Sequence, residues 1–205
     1  MIGVKIIIFF IIFIYLFSYS YAEEGMININ ILPRCSLNLK PGWNLVSVCI
    51  NKTGHVEEIF NFNQTKFRFI LRWKWNGSYS EFEVYSPRAI TNPFEYTQLN
   101  ESYFILVENE SYIGYNGKIN ENIEINMFEG WCSPSWPYEF STDIVKYFNP
   151  NKHRFLMKWN KQKQEFDIYS PRAYINPFTK IFSGEGQFIY SYLNHTLYYN
   201  RTELI

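Results

Sequence analysis

A net charge is missing from this chain, and so are most of the residues that carry chemistry. Nineteen Lys and Arg stand against nineteen Asp and Glu among 205 residues. That balance supplies no counterion-release drive towards nucleic acid and no field towards an anionic surface. Histidine occurs three times, at 55, 153 and 195, in unrelated contexts: a helix start, a strand start and a loop at a sequon. None accompanies a Gly-x-Ser-x-Gly elbow. Glu57 and Glu58 are adjacent on one helical turn and point in different directions, so they read as helix-dipole partners rather than a glycosidase pair. Cysteine is as scarce: Cys35, Cys49 and Cys132 show no CxxC or Cys/His ligand spacing, which argues against zinc. The expectation is a non-catalytic protein with no cofactor, no metal site and no nucleic-acid partner; a secreted hydrolase is the remotest alternative.

Long apolar runs are also lacking after the first residues. Ile6 to Phe17 is unbroken and follows Lys5, and Ser20-Tyr21-Ala22 offers small residues where a signal peptidase reads. That run is short for a membrane span, which needs about 20 residues. Residues 1–22 therefore read as a cleaved signal peptide, with a retained membrane anchor as the alternative, and the expected location is extracellular or cell-surface. Outside the cell two of the cysteines oxidise and one is left over. Cys35 and Cys49 bracket a predicted hairpin and are the favoured pair.

Aromatic rings and asparagines are abundant. Phe, Trp and Tyr make up 20% of the chain, and their large buried areas let a small module build an adequate core. Asn-x-Ser/Thr occurs at Asn51, Asn63, Asn76, Asn100, Asn109, Asn194 and Asn200. Chance predicts about 2.4 such sites from 21 Asn and 21 Ser or Thr in the 183 residues after the leader. The excess suits an exported, glycosylated surface.

An internal repeat decides the organisation. KWNGSYSEFEVYSPRAITNPF at 74–94 returns as KWNKQKQEFDIYSPRAYINPF at 158–178, with 13 of 21 positions identical when aligned without a gap. Repetition of this length implies one module written twice, over residues 23–117 and 118–205. Each copy reads as a short strand (Ser36 to Lys40 in the first), a Gly-Trp turn, a second strand (Trp43 to Ile50), a short helix, an aromatic hairpin and a closing strand. Pro134 and Pro137 interrupt the second strand of copy two, which must be an edge or broken. Thr53 and Ser141 are the expected helix N-caps. In the hairpin Phe67, Phe69, Leu71, Trp73 and Trp75 alternate with Arg68, Ile70, Arg72 and Lys74, predicting a ring-bearing buried face, with Asn76-Gly77 at its turn. The fold class is α+β, mostly β: two tandem modules, each an antiparallel sheet with one short helix.

Gly42-Trp43-Asn44-Leu45-Val46-Ser47 resembles the "GWNLVS" opening of a repeat domain found in exported archaeal and bacterial proteins. Trp75, Tyr85, Pro87, Asn92-Pro93-Phe94 and Gly184-Glu185-Gly186-Gln187-Phe188 follow in that family's order. Copy two lacks the Asn-Leu-Val-Ser strand, and copy one lacks the closing glycines. The resemblance implies an extracellular or cell-surface accessory module and no catalytic residue.

Three side chains stand out as binding candidates. Arg88 and Arg172, inside Ser-Pro-Arg-Ala, either clamp a partner's carboxylate or sugar or, as the favoured reading, fix their own loops by capping carbonyls or pairing with an acid. Trp136, between two prolines, is the best candidate for an exposed ring that stacks on sugar. The sequence therefore predicts a structural or binding component of the cell surface or envelope. Its alternative is an adhesion module that meets cell-surface glycans or envelope proteins through exposed aromatics.

Overall fold

Period-two alternation in Val-, Ile- and aromatic-rich segments builds strands here, and among the described residues the strands join as antiparallel neighbours. The computed structural model describes residues 33–205, so the predicted leader at 1–22 lies outside the described residues. A first four-stranded sheet contains β2 (Gly42–Val46), β3 (Phe69–Trp75), β4 (Ser80–Tyr85) and β5 (Tyr103–Val107), in the order β2-β5-β3-β4. A second contains β8 (Gly130–Cys132), β10 (His153–Asn160), β11 (Glu165–Tyr169) and β13 (Phe188–Ser191), in the order β8-β13-β10-β11. Two-stranded ribbons accompany them: β1 (Cys35–Leu39) with β6 (Ser111–Tyr115), and β7 (Ile123–Met127) with β14 (His195–Tyr199). A last small pair joins β9 (Thr142–Asp143) to β12 (Lys180–Ile181). The helical segments are short: α1 (Val56–Ile59), α2 (Phe62–Thr65), a 3-10 turn at Ile144–Lys146, and α3 (Arg201–Leu204).

Strand registers recur between the halves. Leu37 faces Ile113 as Ile125 faces Leu197; Trp43 faces Leu106 as Trp131 faces Tyr190; Ile70 faces Tyr85 as Leu156 faces Tyr169. Positions therefore correspond with an offset of 88 in β1 and β2, 86 in β3, and 84 from β4 to β6. The gapless alignment of the hairpins is corrected by this register. Trp73 faces Phe82 and Trp159 faces Phe166, so Trp73, not Trp75, occupies the place of Trp159. The first hairpin runs one residue pair further before it turns. Its loop is also longer than a two-residue Asn-Gly turn: residues 76–79 close it, with Gly77 at φ +100° and Asn76 Oδ1 accepting the amides of Ser78 and Tyr79 at 3.0 Å each.

The helices differ from expectation. In α1 the N-cap is His55, whose Nδ1 accepts from Glu57 N–H, rather than Thr53. Ser141 caps nothing, because Thr142 and Asp143 are drawn into β9 and only a 3-10 turn follows. The stretch is two residues shorter than its counterpart, and Pro150 disfavours helix at the residue before it.

Both faces of each four-stranded sheet are covered. Ile70, Tyr85, Tyr103 and Ile105 point into one core with Leu37, Leu39, Ile59, Phe60 and Ile113. Leu156, Tyr169 and Ile189 point into a second with Ile125, Trp136, Tyr138, Ile144 and Tyr199. The ring-bearing face predicted to be the core is instead a third layer. Leu45, Phe104 and Phe188 are buried there, packed by half-buried Trp43, Leu71, Trp73, Trp131, Met157, Trp159 and Phe166. Phe104 and Phe188 meet at 6.0 Å between ring centroids; burying each contributes about 1.5–3 kcal/mol. Alternation located Leu71 and Trp73 on one face, although Phe67, ahead of β3, packs into the first core instead. It did not show that Ile70, on the other, is fully buried.

Candidate functional site

Several polar contacts recur in both directions across the seam between the two sheets. Trp73 Nε1 donates to the Trp131 carbonyl at 2.7 Å, and Trp159 Nε1 donates to the Trp43 carbonyl at 2.7 Å. The main chains exchange bonds as well. Ser47 N–H donates to Gly184 O at 3.1 Å and Gly186 N–H to Leu45 O at 3.1 Å; Ser135 N–H donates to Asn100 O at 3.2 Å and Ser102 N–H to Ser133 O at 3.0 Å. The glycines of Ser183-Gly184-Glu185-Gly186 are required by this approach. Gly184 has φ +78° and a Cβ on it would lie 2.7 Å from Ser36 O, while one on Gly186 would lie 2.9 Å from Val46 N. Behind the seam Arg72 bonds Glu83 at 2.5 Å, lies 3.7 Å from Glu101 and covers the Phe94 ring at 4.4 Å. Lys158 repeats the pattern with Glu185 at 2.5 Å and Phe178 at 5.0 Å.

Trp136 is not an exposed ring; it is fully buried. Its indole N–H donates to Phe140 O at 2.8 Å, and Tyr138, Tyr147 and Tyr199 surround it. The offset of 88 sets Trp136 at the place of Val48, itself buried. Counting from the shared Gly-Trp pair, rather than from the prolines, would have placed it in the core.

The two Tyr-Ser-Pro-Arg-Ala segments lie in like surroundings. Ser86 N–H donates to Asn92 Oδ1 at 2.8 Å and Asn92 Nδ2 returns to Ser86 O at 3.2 Å. Ser170 and Asn176 do the same at 2.8 and 3.0 Å. Asparagine, serine and proline thus build these loops. Arg88 and Arg172 do not: each is exposed, and neither guanidinium has a hydrogen-bond or ion-pair partner among the described residues. The expected carbonyl-capping role is corrected accordingly. Beside them stand the most exposed apolar side chains of the described residues, Ile90 at 102% and Tyr174 at 100%.

His153 and His195, far apart in sequence, meet with their Nε2 atoms 2.9 Å apart. His195 opens β14 rather than lying in a loop. Asn149 N–H donates to His153 Nδ1 at 3.2 Å, so the His153 proton sits on Nε2 and faces His195. Burial, then the neighbouring His195 and Lys152 charges, lower the His153 pKa to about 4. Ser191 Oγ approaches His195 Nδ1 at 3.3 Å, but it is fully buried and gives its proton to Leu193 O at 2.7 Å. That arrangement orders a turn; it does not prepare a nucleophile. No group of three or more metal-ligating side chains occurs among the described residues.

Cys35 and Cys49 sit at disulfide distance, with Cα atoms 5.8 Å apart. The hairpin they were expected to bracket does not form: β1 pairs with β6 and β2 with β5, so the bridge ties the β1–β6 ribbon to the segment that follows β2. Cys132 is buried and free. Six of the sequon asparagines, 51, 63, 76, 100, 109 and 194, are exposed, and Asn200 is half-buried as the N-cap of α3. No helix among the described residues is long and apolar enough to cross a membrane. Comparison with family models, with curated proteins and with solved structures gave no match.

Proposed function

We propose that this chain is an exported protein of two tandem, divergent copies of one small mostly-β module, acting without catalysis as a structural component of a cell surface or envelope. The observation that carries this reading is the reciprocal seam. Equivalent tryptophans donate to equivalent carbonyls in both directions, which is how an isologous contact is made, and the aromatic faces are consumed in joining one copy to the other. The predicted boundary at 117/118 falls in the connector between β6 and β7. Exposed sequon asparagines on the outer surface support export, and the likeness to the GWNLVS-type repeat domain is carried as part of the same proposal.

A second reading rests on the loop tips. Arg88 with Ile90, and Arg172 with Tyr174 and Ile175, present a cation with no ion-pair partner among the described residues beside exposed apolar side chains on braced loops. Arginine and tyrosine are frequent anchors of protein interfaces, so this would be an adhesion module for envelope proteins. N-terminal sequencing and intact mass of native material test the first reading: a start at Glu23 and added glycan mass are expected, and an unmodified chain beginning at Met1 refutes it. Loss of cell-surface retention in an R88A/R172A variant that keeps its fold would shift the assignment to the second.

A further inference from the structure

The two copies form two equivalent grooves along the seam, and the grooves have diverged in a correlated way. The first, of about 250 Å³, is lined by Trp75, Phe128, Trp131, Asn100 and Glu101. The second, of about 220 Å³, lies over Gly184, Glu185 and Lys161. Where the first groove has Trp75 and Phe128, offsets of 86 and 88 place Lys161 and Lys40 at the second. Trp75 and Phe128 stack at 5.3 Å with their planes 18° apart. Both rings stay partly exposed, and the Trp75 indole N–H has no partner among the described residues.

The sequons follow the same asymmetry. Asn100 lines the first groove; Asn76 directly follows Trp75; Asn194 Oδ1 accepts from Glu129 N–H at 2.8 Å, beside Phe128. Their counterparts at the second groove are Gly184, Gln162 and Glu110, none of them an acceptor of a glycan. Of these three sequon asparagines, Asn100 lines the aromatic groove and the other two adjoin residues beside it, whereas no sequon asparagine lines the lysine groove. Of the three, only Asn100 has a carboxamide free of hydrogen bonds among the described residues, whereas Asn76 and Asn194 use theirs to hold turns.

We propose that the groove over Trp75 and Phe128 seats the first sugars of a glycan carried by Asn100. This rests on the exported, glycosylated reading given above. A sugar ring offers an apolar face to the ring face that the stacked pair leaves open, and hydroxyls to the Trp75 N–H, Asn126 and Ser80, which also border the groove. The volume lies below the roughly 300 Å³ at which clefts for drug-sized ligands begin, which suits one or two sugar units tethered from the rim. Tethering makes the contact intramolecular, so a weak stacking interaction is enough to hold it. Ser102, the third residue of this sequon, is buried with its hydroxyl bonded to Pro134 O at 2.8 Å, so the glycan is attached before this segment folds.

The test uses protein from its native source, as wild type, Asn100→Gln and Asn109→Gln. Peptide mass spectrometry reads site occupancy, and hydroxyl-radical labelling reads Trp75 and Phe128, with fully buried Trp136 as the unreactive reference. The expected result is an occupied Asn100 and a rise of more than about twofold in Trp75 labelling in the Asn100→Gln variant alone, since Phe128 already covers one ring face and the sugar covers the other. Sugar at other sequons with Asn100 bare overturns the inference and leaves the glycosylated reading standing. So does an occupied Asn100 whose loss leaves labelling unchanged. Protection of Trp75 by added free saccharide in a wild-type protein whose Asn100 is bare reassigns the groove to an external sugar and equally overturns it. A chain with no sugar at any sequon overturns both.

Discussion

Protonating the His153–His195 pair has a cost that can be worked out from its geometry. His153 Nδ1 accepts from Asn149 N–H, and its Nε2 proton points at His195 Nε2; His195 Nδ1 faces Leu193 O at 3.1 Å. A second proton on either ring sets two donors face to face. The Phe148 ring, 5.0 Å from His153, adds no polar relief. The folded-state pKa of His153 is lowered to about 4, against about 6.5 in an unfolded chain. The unfolded chain therefore binds more protons between these values, and stability is full above pH 6.5 and lost as pH falls towards 4. Integrating that difference gives a loss of about 2 kcal/mol between pH 8 and pH 5 and about 3 kcal/mol by pH 4. Urea unfolding at 25 °C with a constant m-value measures it. The window from pH 6.5 to 5 is the informative one, because carboxylates titrate mostly below it. A His153→Gln variant keeps a polar group at the site and is expected to flatten the dependence over that window. An unchanged slope in that variant would refute the reasoning.

Two further perturbations are expected to be informative. Replacing both Cys35 and Cys49 by Ser opens a loop whose ends are 14 residues apart, and is expected to cost about 3 kcal/mol in guanidinium unfolding; a loss under about 1 kcal/mol would mean that the ribbon is held by β1–β6 pairing alone. Trp73→Phe and Trp159→Phe remove equivalent rings but leave unequal carbonyls, because Trp43 O still accepts from Gln164 Nε2 at 3.1 Å. Trp73→Phe is therefore expected to cost about 1 kcal/mol more than Trp159→Phe, and equal losses would sink the assignment of these bonds.

The residue types and their spacing were enough to show the repeated segments, the hairpin strands within them and the favoured cysteine pair. A period of two, Gly-Trp turns and recurrent Tyr-Ser-Pro-Arg-Ala are local signals, and local chemistry answers them in the same way each time. β6, β14 and the cores behind the sheets were not legible, because strand pairing between Cys35 and Tyr115, or Ile123 and Tyr199, is decided by closure across some eighty residues. Trp136 was misplaced because its prolines suggested a loop, while its burial depends on which strand lies above it.

How the two sheets meet was fixed only on folding. Each hairpin's ring-bearing face looks like a core from its own alternation, and a sequence cannot say whether that face closes on a helix, on water or on its own double. Burial is a property of pairs of surfaces. The reciprocal tryptophan bonds, the two unequal grooves and the meeting of His153 with His195 all arise from that pairing, and so appear only once the chain is folded.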